Sequence, residues 1–112
     1  MKKAIEMSRQ VSDHLVRANE LLHTEVIIKL FRHHEFDEQY QLQIAFQVSK
    51  IFVGHYTASI SLEQITALCA PMFPYERKPT QHEVQAVLSR LVKNRKLRSL
   101  LNNHRRLWEV NY

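Results

Sequence analysis

The sequence predicts a mostly α-helical chain with one small β-sheet, and three observations carry that expectation. Its 112 residues include one glycine and three prolines, too little turn chemistry for an all-β fold. Apolar residues recur at helical spacing through most of the chain. Only the last stretch breaks that rhythm, where two strand-like runs flank Asn102-Asn103.

Residues 3–22 read as an amphipathic helix whose Val11, Leu15, Ala18 and Leu22 follow 4-3-4 spacing. Thr24 is the expected N-cap of a short helix over residues 25–32 carrying Ile27, Ile28, Leu30 and Phe31; one helix bent near His23 is the alternative. After the polar connection 33–38, a third helix is expected from about Asp37 to Val53. Leu42, Phe46, Ser49/Lys50 and Val53 mark its turns, and Gly54 falls where a left-handed C-cap would stand. Residues 58–60 form a short extended stretch. Ser61 then caps a helix over Leu62 to about Cys69, with Ile65 and Leu68 inward. Pro71, Pro74 and Pro79 make residues 70–79 a loop. Thr80-Gln81-His82-Glu83 matches a capping box and opens a helix whose buried stripe is Val84, Val87, Leu88 and Leu91. Residues 95–101 and 104–110 then pair as a hairpin about Asn102-Asn103, with Leu97 opposite Trp108, Lys96 opposite Glu109 and Arg95 opposite Val110. An apolar base under a basic tip describes a wing. The whole order is that of a winged helix-turn-helix preceded by N-terminal helices, divided as a helical extension over 1–34 and a winged-helix domain over 35–112.

Charge is unevenly distributed. Residues 75–112 carry nine Lys/Arg against Glu76, Glu83 and Glu109, a net +6 within a chain whose total is +5. Basic charge concentrated on a helix and hairpin is the electrostatic footprint of a nucleic-acid-binding module. The predicted duplex-DNA contacts are Gln81, His82, Gln85, Ser89 and Lys93 on the outward face of the capped helix, with Arg95, Arg98, His104, Arg105 and Arg106 in the wing and its approach. Glutamine can bond adenine bidentately, and the cations suit phosphates or the minor groove. Leu15 and Leu22 on the first helix, and Leu100 beside Arg98, are the candidates for self-association.

Other classes find little in the sequence. No apolar run approaches the ~20 residues that span a membrane, and no charged-then-apolar start marks a signal peptide. Cys69 is the sole cysteine, which fits a reducing compartment. Seven histidines include no HxxxH pair and stand beside no CxxC, so no metal or other cofactor is expected. No Gly-flanked serine or other catalytic constellation occurs, which predicts a non-enzyme.

Two segments resemble one family. KAIEMSRQVSDHLVRANELL (Lys3–Leu22) resembles the end of the helical lid in AAA+ replication initiators of the origin-recognition-complex/cell-division-cycle family. Residues 41–97 look like that family's C-terminal winged helix: a run ending in Leu68-Cys69 closes one helix, Pro79-Thr80 and Glu83 open the next, and spaced leucines lead into the wing. The resemblance implies double-stranded DNA or chromatin as partner, contacts to other subunits of an initiator assembly, and a nuclear location (cytoplasmic or nucleoid in a prokaryote). No GxxxxGK[ST] phosphate loop occurs, so it also implies that ATP binds elsewhere in a longer parent. The family includes a yeast silencing paralogue whose winged helix self-associates. A homodimerising heterochromatin module is therefore one alternative, and a free-standing winged-helix transcription regulator another.

Overall fold

The computed structural model describes residues 13–31, 36–73 and 77–112, with the side chains of 36–39 excepted. Val11, the histidines at 33 and 34, and Pro74 lie outside the described residues. The chain is mostly helical with a three-stranded antiparallel sheet in which Arg105–Val110 lies between Ile60–Ser61 and Leu97–Asn102.

The described part of α1 covers residues 13–21 and ends with Leu22 N–H bonded to Ala18 O at 3.0 Å. Ala18, Leu21 and Leu22 are buried, whereas Leu15 is 37% exposed. The buried stripe thus runs through Leu21 and leaves Leu15 at its margin, a rotation from the expected 4-3-4 face. A break follows, and α2 spans Thr24–Phe31 with Ile27 and Phe31 buried. His23, not Thr24, stands at the cap. Its carbonyl accepts from Ile27 N–H at 3.0 Å and its Nδ1 from Glu25 N–H at 3.3 Å.

The central helix, α3, spans Phe36–Gly54 and packs against α2 and against the two later helices, Leu62–Cys69 and Gln81–Lys93. Neighbours on several sides explain why burial includes Ile44, Ala45, Val48, Ser49, Ile51 and Phe52, while Leu42, Phe46 and Val53 are only partly covered. Ser49 stays satisfied by donating to Ala45 O at 2.7 Å. Gly54 closes the helix without a positive φ, so the expected left-handed cap is absent there.

β1, Ile60–Ser61, leads straight into α4, Leu62–Cys69. Ser61 Oγ accepts from Gln64 N–H at 3.3 Å, and Gln64 Oε1 accepts from Ser61 N–H at 3.1 Å. Ile65 and Cys69 take the two inward positions one turn apart, and Leu68 is 41% exposed rather than inward. Part of the expected loop is ordered as a 3-10 turn, Ala70–Met72, which delivers Phe73 into the core. The second capping box forms as its spacing predicts. Thr80 Oγ1 accepts from Glu83 N–H at 3.2 Å, Glu83 Oε1 accepts from Thr80 N–H at 3.1 Å, and α5 runs Gln81–Lys93. Val84, Val87, Leu88 and Leu91 are all fully buried.

The hairpin differs from expectation in register. β2 is Leu97–Asn102 and β3 is Arg105–Val110, with Leu97 opposite Val110, Arg98 opposite Glu109 and Ser99 opposite Trp108. Two local features move it. Arg95 takes a left-handed conformation (φ 61) and ends α5, with Lys96 N–H bonded to Leu91 O at 2.9 Å and Arg95 N–H to Val92 O at 3.0 Å. That is the hydrogen-bond pattern of a Schellman cap, here with arginine where glycine is usual. Arg95 is therefore cap, not strand. At the far end the turn is Asn103-His104, with φ of 52 and 64. Each partner shifts by two residues, and because strand side chains alternate with period two, Leu97, Trp108 and Val110 keep their inward face.

One core cluster includes Ala18, Phe31, Phe52, Ile65, Leu88 and Trp108, so it draws on both helices before α3 as well as on the sheet. Arg90 of α5 ties these parts together, 5.1 Å over the Phe31 ring with Nη1 donating to Leu30 O at 3.5 Å.

Candidate nucleic-acid interface

The core stripe of α5 leaves Gln81, His82, Gln85, Ser89 and Lys93 on its exposed side. These do not form one compact patch, because Gln81 and Lys93 are separated by roughly 18 Å of helix. The N-terminal half is the part that shares a cleft with β3 of the hairpin. Gln81 and Gln85 line an open cleft of about 260 Å³ together with Arg105, Arg106 and Trp108 of β3 and Ser61, Leu62 and Glu63 at the start of α4. β1 pairs with β3 through Ile60–Trp108 and Ser61–Leu107, and this pairing sets the start of α4 beside the hairpin.

The α5 end of the cleft is rigidly built. Arg77 binds Glu83 bidentately, Nη1 to Oε1 and Nη2 to Oε2, each at 2.7 Å. The Arg77 guanidinium also lies 4.4 Å over the Tyr40 ring, and Tyr40 Oη donates to Arg77 O at 2.7 Å. Its hydrogen bond is the main reason the Glu83 carboxyl is held at about 2, with the Thr80 bonds acting in the same direction. Glu83 is thus ionised at neutral pH and serves the N-terminus of α5, where negative charge is favoured.

The wing cations are not equivalent. Arg106 Nη1 donates to Ser99 Oγ at 2.9 Å and borders the cleft. Arg105 reaches Glu63 at 3.4 Å, an exposed pair that contributes little on its own. Arg98 instead bonds Glu109, whose other oxygen accepts from Ser59 at 2.7 Å. Arg98 and Glu109 line a separate hollow of about 240 Å³ with His14, Tyr56 and Tyr112. Arg98, Arg105 and Arg106 are therefore not one patch. His104 is exposed in the turn, and Arg95 and Lys93 are exposed at the opposite end of α5 from Gln81.

The self-association residues are dispersed. Leu22 is 4% exposed and belongs to the core, so it presents no surface to a partner. Leu100 is half-buried against Leu107, its cross-strand partner. Leu101, which sequence reasoning passed over, is 66% exposed. Glu63 was also missed. Its only sequence signal is a place in the first turn of α4, and its nearness to Arg105 depends on β1–β3 pairing.

Elsewhere, a hollow of about 640 Å³ lies between the α1–α2 break and the second half of α3. Its Ser49 and His23 are engaged by the backbone bonds described above. Cys69 is fully buried, and desolvation pushes its thiol up to about 11. No cluster of three or more His, Cys, Asp or Glu stands close enough to hold a metal among the described residues, and none of their helices is long and apolar enough to cross a membrane. Comparison of the chain with protein-family models, with curated proteins and with solved structures returned no match.

Proposed function

We propose that this chain is a non-catalytic winged-helix module that binds double-stranded DNA, free or in chromatin, within an assembly of the origin-recognition type. The observation that carries this reading is the shared cleft of Gln81, Gln85, Arg105 and Arg106. It sets groups able to bond base edges beside groups able to hold phosphates, as a groove-reading helix flanked by a wing requires. The order α3, β1, α4, α5, β2, β3, with β1 on the edge of β3, supports the winged-helix assignment. The resemblance of residues 3–22 and 41–97 to the initiator family supports the assembly, and with it a nuclear setting or a prokaryotic nucleoid. Self-association has less support, since Leu22 is in the core and Leu100 is half covered.

The test is binding to a labelled duplex across a salt series. Each phosphate contact contributes about 0.9 to the log–log slope. Arg105→Ala and Arg106→Ala should each make the slope shallower by about that amount, whereas Arg98→Ala, whose partner is Glu109, should leave it unchanged. A double Arg105→Ala/Arg106→Ala variant that binds with wild-type affinity and slope overturns the reading.

A further inference from the structure

Leu101 is the most exposed of the large hydrophobic side chains among the described residues, at 66%. A single exposed leucine on a soluble protein is commonplace. Its position is not. Leu101 is the penultimate residue of β2, opposite Arg106 and separated from the Asn103-His104 turn by Asn102, in a run from 101 to 106 in which every residue is exposed. That run contains Arg105, Arg106 and His104 and no acid. Arg106 could have laid its aliphatic stem over Leu101, but its guanidinium is drawn toward the hairpin base by Ser99. The apolar tip is left uncovered within a basic collar.

A surface of that kind fits a partner whose outside is anionic and whose interior is apolar and layered. Duplex DNA is such a partner, with phosphates flanking stacked bases. We propose that Leu101 is a wedge that enters the minor groove and partly unstacks one base step, so that the wing bends the DNA it holds. The inference rests on the DNA-binding reading above and adds a distinct activity to it.

The dimensions support a wedge. From Trp108, the last buried residue of β3 toward the turn, to Arg106, the partner of Leu101, the strand advances by about 7 Å, close to the ~7.5 Å depth of the minor groove. Paired strands stand about 4.8 Å apart before side chains are added, so a ribbon entering a groove ~6 Å wide must open it. An apolar side chain inserted between base steps offsets that deformation, and such wedges kink a duplex by roughly 20–90°. The amides of Asn102 and Asn103, the two residues after the leucine, match the donors and acceptors of the minor-groove floor. Flexible TA steps are the least costly to unstack, so they are the preferred site.

The experiment uses a short duplex with a central TA step, a fluorophore at each end and 2-aminopurine at the step. Wild-type protein should bring the ends closer and raise 2-aminopurine emission. Leu101→Ala should abolish both signals, weaken affinity by less than about tenfold, and keep the wild-type salt slope, since leucine releases no counterions. Arg106→Ala should do the converse, with a shallower slope and the bend retained. Leu101→Phe should keep the bend. A Leu101→Ala variant that bends the duplex as wild type does overturns the wedge and leaves DNA binding standing. A dimer without DNA that dissociates on Leu101→Ala, with no bend by the wild type, also overturns it and assigns the tip to self-association. If wild-type protein binds no duplex, both readings fall together.

Discussion

The hairpin's base and its tip obey different physics. At the base Leu97, Trp108 and Val110 are buried, Glu109 accepts from both Arg98 and Ser59, and Asn111 extends the ladder with its N–H on Lys96 O at 3.1 Å. From Leu101 to Arg106 every residue is exposed, and the polar contacts there are Arg106 to Ser99 and Arg105 to Glu63. The ribbon is therefore a fixed stem carrying a tip that packing does not specify. In a stem, sequence is constrained by shape; in such a tip, by what it touches. A leucine at 97 needs no functional explanation and a leucine at 101 does.

Two truncations test that division with the largest expected contrast. Leu97→Ala should cost about 2–5 kcal/mol, because the methyls it removes are in contact with the core on every side. Leu101→Ala should change stability by less than about 0.5 kcal/mol. Urea denaturation of both variants decides it. A destabilisation of Leu101→Ala comparable to that of Leu97→Ala would show that the tip packs against something in the folded chain.

How much of this was legible follows the same division between local and distant causes. The Thr80–Glu83 capping box and the Ser61 cap could be read from sequence because each closes within four residues, and the α5 stripe because its period is short; the reciprocal bond from Gln64 at the Ser61 cap was not read. The hairpin register could not, although both strands could be found. It depends on Arg95 accepting a left-handed φ to close α5, a role that glycine usually signals and arginine does not. The candidate site was legible residue by residue but not as an arrangement. Glu109 neutralises Arg98 and Glu63 approaches Arg105 only after strands place them side by side, so a run of cations that looks uniform in sequence divides between two hollows. Leu68 and Leu101 show the reverse error. Apolar identity alone suggested the core at one and nothing at the other, and exposure assigns both to the surface.

A second, smaller contrast lies between the two helix starts that frame the cleft. Ser61–Gln64 and Thr80–Glu83 are the same box with the same cap dihedrals, φ −81 and ψ 161, but one is neutral and the other charged and clamped by Arg77. Thr80→Ala should cost about 1 kcal/mol, like other lost caps. Only the charged box should respond to acid. Glu83 is lowered in the fold from 4.5 to about 2, so its contribution is complete above its unfolded value and is lost as pH falls from about 4.5 through about 2. Glu83→Gln can keep the box, as Gln64 does, and should flatten that part of the stability–pH curve. Since the Arg77 side chain is 65% exposed, the ion pair itself is worth at most about 1 kcal/mol. Acid unfolding of the two proteins, compared by circular dichroism, reads the difference. An identical pH dependence would mean that Arg77 and Glu83 do not hold α5 in solution.

The smallest effect expected is at the turn, where stem and tip requirements meet. Both central residues, Asn103 and His104, have positive φ, the conformation that closes a two-residue hairpin loop with the correct twist. Asparagine tolerates that region, while at the second position glycine is the common choice. A left-handed φ costs a residue with a Cβ about 1–2 kcal/mol, and glycine's greater freedom when unfolded returns about 0.5–1 of it. His104→Gly should therefore stabilise the protein by about 0.5 kcal/mol, seen as a higher denaturation midpoint at unchanged m-value. An imidazole held in a strained turn at the exposed end of a basic ribbon has no role in the stem. If His104 serves only as a turn residue, His104→Gly binds duplex DNA as wild type does. A variant that is more stable yet binds more weakly would show that the strain at position 104 is retained for a contact with the ligand.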